Sequence, residues 1–114
     1  MFKARFIHLG DAIDHTPPSG GDDVEAGDVV VQGDLVGIAR LKIPAGKLGA
    51  LAVRGVFDVT KATGSDTDMD AGAKVYWDAS NQRATKTASG NTLMGKAVAA
   101  AGEADEQVRV RLSQ

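Results

Sequence analysis

The residues best spaced for chemistry are Gly90-Asn91-Thr92-Leu93-Met94-Gly95-Lys96. They match the first seven positions of a phosphate-binding loop, in which backbone amides cradle phosphate oxygens and the lysine reaches the terminal phosphates. The next position breaks the match. Ala97 stands where a Ser or Thr hydroxyl must ligate magnesium, and Thr85 to Ser89 is polar where the motif needs a buried strand. A Gly-Asn turn leading into a strand is the better reading. Asp66-Thr67-Asp68-Met69-Asp70 opens like a calcium loop, but Ala71 and Trp77 fill the positions that require a turn glycine and a bidentate glutamate. Asp22-Asp23-Val24-Glu25 reads as a polar turn before a strand. His15 lies near Asp11 and Asp14, yet nothing nearby supplies a nucleophile, and His8 is the only other histidine. A catalytic site needs several convergent groups. The chain is therefore expected to be no enzyme, with no catalytic residue, no cofactor and no metal site. Lys3 and Arg5 interleave with Phe2 and Phe6. Two charges are too few to steer a polyanion, so an edge strand that docks on another protein by strand addition is the economical reading.

The elements around these residues are short strands. Three stretches repeat an Ala-Gly step ahead of an apolar run: Ala26-Gly27, Ala45-Gly46 and Ala71-Gly72. Glycine there supplies the positive φ of a tight turn, and the residues that follow suit a pleated, half-buried surface. Strands are expected over Phe2 to Leu9, Asp28 to Gln32, Leu35 to Leu41, Ala50 to Thr60, Ala73 to Asp78, Arg83 to Thr87 and Gln107 to Leu112. Gln32-Gly33-Asp34 signals a hairpin, and Gly55 signals a bulge or close backbone approach. Leu93 to Ala101 fits either a helix or a buried strand. Val75, Trp77 and Phe57 are assigned to the core. The expectation is an all-β fold, a small sandwich or barrel of short, mostly antiparallel strands with at most one short helix. Its single domain divides into an N-terminal strand or arm (1–9), a Pro- and Gly-rich flexible linker (10–22) and a body (23–114).

Composition narrows the function classes. A chain of 114 residues can build one modest core, and an aromatic content of 4% makes Val, Leu, Ile and Ala its main material. A net charge of −2 lacks the basic footprint of a nucleic-acid binder. The absence of cysteine excludes disulfides, thiolate metal sites and cysteine nucleophiles. No apolar run approaches a membrane span, and the charged start does not read as a signal peptide. An intracellular site of synthesis, with no membrane partner, is the resulting expectation.

Gly46 to Val59, with its Gly-Val-Phe-Asp block, Ala71 to Asp78, with its Val-Tyr-Trp-Asp block, Gly90 to Ala97 and Val108 to Leu112 together carry a family likeness, and Phe6-Ile7 through Gly10 to Asp14 fits as well. They resemble a small bacteriophage family often labelled a RecA/RadA-type recombinase and associated with capsid decoration, or cement, proteins. The resemblance implies a β-rich homotrimer on the outer surface of an icosahedral head, bound to the major capsid protein and not directly to nucleic acid. Under it, Phe2, Lys3, Arg5 and Phe6 are expected to form the capsid-facing strand. The competing expectations are a DNA-associated recombination accessory or ATPase, and a tail or adaptor component of the virion.

Overall fold

The structure, a computed structural model, describes residues 3–114. Its strands are β1 (Ala12–His15), β2 (Val29–Gln32), β3 (Leu35–Ala39), β4 (Gly49–Ala52), β5 (Val56–Thr60), β6 (Lys74–Asp78), β7 (Arg83–Thr85), β8 (Thr92–Ala97) and β9 (Gln107–Leu112). Among the described residues there is no helix. The strands pair antiparallel in two sheets, ordered β1-β4-β3-β2 and β5-β9-β8-β6-β7. The fold is an all-β sandwich.

The Ala-Gly steps set its rhythm. In each, a residue two before the glycine accepts a backbone hydrogen bond from the residue after it: Asp28 to Glu25, Lys47 to Pro44 and Ala73 to Asp70, all at 3.0 Å. The glycines hold φ of 91°, 76° and 87°. A positive φ at the third position of a hydrogen-bonded four-residue turn defines a type II turn, where glycine is favoured. Each turn is preceded by a residue in a lone bridge, Val24, Ile43 or Met69, and is followed by β2, β4 or β6. Val24 and Ile43 bridge each other, so the first two units are stitched together.

Period-two alternation fills the space between the sheets. Val108, Val110 and Leu112 of β9 point inward while Arg109 and Arg111 point out. They meet Val59, Val75, Trp77, Ala84 and Met94 from the same sheet and Val36 and Ile38 from the other, with Phe57 half-buried against them. A second cluster lies on the opposite face of the four-stranded sheet, where Leu51, Ala39 and Ile43 pack with Ile13, Val24 and Val30. The Gln114 side chain joins the sheets by a polar contact. Its Oε1 accepts from the Val36 N–H, and its Nε2 donates to the Val36 carbonyl at 2.7 Å.

Four expectations change. Ala50 to Thr60 is two strands: the chain leaves the four-stranded sheet after Ala52, turns at Gly55 with φ 124° and enters the other sheet at Val56. Alternation continues across the break, which is why it reads as one strand. Leu93 to Ala101 resolves as β8, ending at Ala97. Phe2 lies outside the described residues, and Lys3 to Leu9 forms no strand. The stretch read as a linker contains β1, which pairs with β4 and sends Ile13 into the second cluster, and Pro17 beyond it is fully buried.

Candidate functional site

The phosphate-loop string is a turn at Gly90 followed by β8. Gly95 lies flat against β9, where a Cβ would stand 2.0 Å from the Arg111 carbonyl oxygen. This glycine serves strand packing, and no helix follows it to receive a phosphate. Lys96 is exposed on the outer face, flanked in register by Lys74 on β6 and Arg111 on β9. None of these three cations forms an ion pair among the described residues.

The acidic string is equally structural. Met69, in its middle, is buried and bridges Ala101. The Lys86 ammonium contacts Asp68 at 3.1 Å and holds its carboxyl below the usual value. The Asp66 N–H donates to Glu103 at 2.7 Å. Among the described residues no group of three or more acidic or histidine side chains could hold a metal ion. The histidines are not brought together: the His8 ring accepts from the Gly10 N–H at 2.9 Å, and His15 meets Gln32 at 3.3 Å. Asp11 pairs with Arg54 at 3.2 Å rather than with His15.

What the structure offers instead is binding surface. Phe6, Ile7 and Leu9 are 76, 68 and 81% exposed along an N-terminal segment, the arm, that also carries Lys3 and Arg5. Leu41 and Leu48 are exposed beside a groove of about 710 Å³ over β4. A smaller cleft of about 270 Å³ lies where the two sheets part beside β5, and Trp77 lines it. The indole Nε1 is buried and has no acceptor. β5 itself is paired only with β9 along its length. Its far end is held by Lys61, a buried lysine whose ammonium donates to the carbonyls of Ala62 at 2.7 Å and Asp105 at 3.3 Å. Of the expected contact residues, Lys3, Arg5 and Phe6 share the arm. The cleft was not readable from the sequence, because its walls come from residues far apart in the chain.

Compared with known proteins, no curated protein and no solved structure matches this chain. The model of the phage cement protein family matches residues 7–112, nearly the whole length. The match spans both sheets and all nine strands. The recombinase label receives no support from it, in keeping with a phosphate-loop string that folds as turn and strand. By this match the chain belongs to the phage cement protein family.

Proposed function

We propose that this protein is a homotrimeric decoration protein of a bacteriophage capsid. Made in the host cytoplasm, it binds the major capsid protein on the outer surface of the head. The family match over residues 7–112 carries the reading. The work is mechanical: seated at junctions between capsomers, each trimer adds buried interface across several subunits and so opposes the outward pressure of packaged DNA. Modest contacts repeated by symmetry multiply into strong attachment. The segment carrying Phe2, Lys3, Arg5 and Phe6 is the contact element, adding as a strand to a neighbouring chain of the decorated shell. Exposed apolar side chains at positions 6, 7 and 9 support that role. Catalysis and cofactors play no part in it.

The test is mass spectrometry of purified virions. A copy number near that of the major capsid protein is expected. A few copies per particle would favour a tail or adaptor component, and absence would overturn the reading. Addition of the purified chain to bare heads should raise their resistance to heat and to chelators.

A further inference from the structure

We infer that the arm of one copy, residues 3–9, docks in the cleft beside β5 of a second copy, adding a strand to its open edge. The inference rests on the trimer reading above and supplies its joint.

Four features of the cleft and the arm match. The first is backbone. Gly55 accepts from the Leu112 N–H at 2.9 Å and Lys61 donates to the Glu106 carbonyl at 2.8 Å, so these residues point toward the β9 side. Alternation along an antiparallel ladder turns the amides and carbonyls of Val56 and Asp58 the other way. β7 approaches that side only at the far end of β5, where Lys61 bridges Ala84 and the Ala62 N–H donates to the Ala84 carbonyl at 2.9 Å. An open edge of this kind is a template for an added strand. The second is apolar surface: Val29, Ile38, Phe57 and Trp77 line the cleft, and the arm exposes Phe6, Ile7 and Leu9. The third is charge. Asp28 lines the cleft beside Asp58, whose carboxylate is already paired with Arg109, and no lysine or arginine lines it, whereas the arm carries Lys3. The fourth is the orphaned Trp77 Nε1, a buried donor at a site where an added chain brings carbonyl oxygens.

Residues 3–9 are all exposed, so the arm's apolar side chains are uncovered. Seven extended residues reach roughly 23 Å, enough to cross to a neighbour. Each copy then has one donor arm and one acceptor cleft. Such a contact is heterologous, and a heterologous contact that closes makes a ring.

The chain has no cysteine, which makes thiol mapping clean. Full-length Ile7→Cys and Thr60→Cys proteins, both altered at surface positions, are mixed and oxidised in the absence of capsids. The 7–60 hetero-link should form roughly tenfold faster than the link from Ile7→Cys mixed with Lys96→Cys, because docking raises the effective thiol concentration. The unaltered chain is measured alongside by light scattering. A trimer without the preferred 7–60 link overturns the arm inference and leaves the trimer standing. A monomer overturns the trimer and this inference with it. A 7–60 link that forms within a single doubly substituted chain but not between mixed chains shows docking on the chain's own body, and also overturns it. A link that appears only when bare heads are added transfers the arm to the capsid.

Discussion

Trp77 and Val75 share the inward face of β6, and Trp77 is the only tryptophan in a core otherwise built mainly of aliphatic side chains. Trp77→Ala should cost about 3–5 kcal/mol. Against a total of about 5–15 kcal/mol for a domain, urea melts should show a collapse of stability; an unchanged midpoint would mean the ring packs against nothing. That face was legible, because alternation over Val75-Tyr76-Trp77 places two large apolar residues on one side. Lys61 was not. A lysine after an alternating strand reads as a solvent-facing end, yet it is 3% exposed. The loops 62–70 and 102–106 close over it and supply the carbonyl oxygens that offset the loss of water, and that arrangement depends on partners some forty residues away. Trp77's unpaired nitrogen was beyond reach of the sequence for the same reason.

The turn-and-strand unit was the most readable element, since three Ala-Gly steps announced three turns of one type. Strand partnership was the least readable. A strand pattern in Phe2 to Leu9 says that the segment suits a sheet but not whose sheet. β1, with Ile13 as its one large apolar residue, is held in place mainly by backbone pairing to β4, which leaves little mark in composition. Register adds another consequence. Lys74, Lys96 and Arg111 lie side by side across three strands, and like charges in directly opposed positions repel. Lys96→Glu replaces two repulsions with two attractions. It should raise stability by about 0.5 kcal/mol, seen as a small rise in Tm that disappears in high salt. A drop in Tm would mean that the row is already compensated.

The whole molecule's response to acid follows from four carboxylates. Asp23 is held below the usual value of 3.8 by the Ala45 N–H, Asp58 by Arg109, Asp68 by Lys86 and Asp78 by the Asn81 side chain. A folded value below the unfolded one means that the unfolded chain binds more protons. The stabilisation is complete above the unfolded value and is lost as pH falls through the folded one. Denaturant midpoints should therefore be flat above about pH 5 and decline below it. All four groups are solvated, so the decline should be gradual and weaker at high salt. A midpoint insensitive to acid would remove these pairs from the account. The Gln114 amide, finally, bears on how the two sheets carry load. Apolar contact between two sheets resists their separation, but it has little directionality and lets one layer slide over the other. The paired bonds from Gln114 to the Val36 amide and carbonyl are directional and lock the layers against that shear. Gln114→Ala leaves two buried backbone groups unpaired, at about 1–3 kcal/mol for each. Pulled across its sheets, the variant should yield at lower force than the parent chain even where ordinary melting separates them only modestly. Heat tests whether two layers stay together and tangential stress whether they stay aligned, and one side chain that fixes their alignment answers to the second.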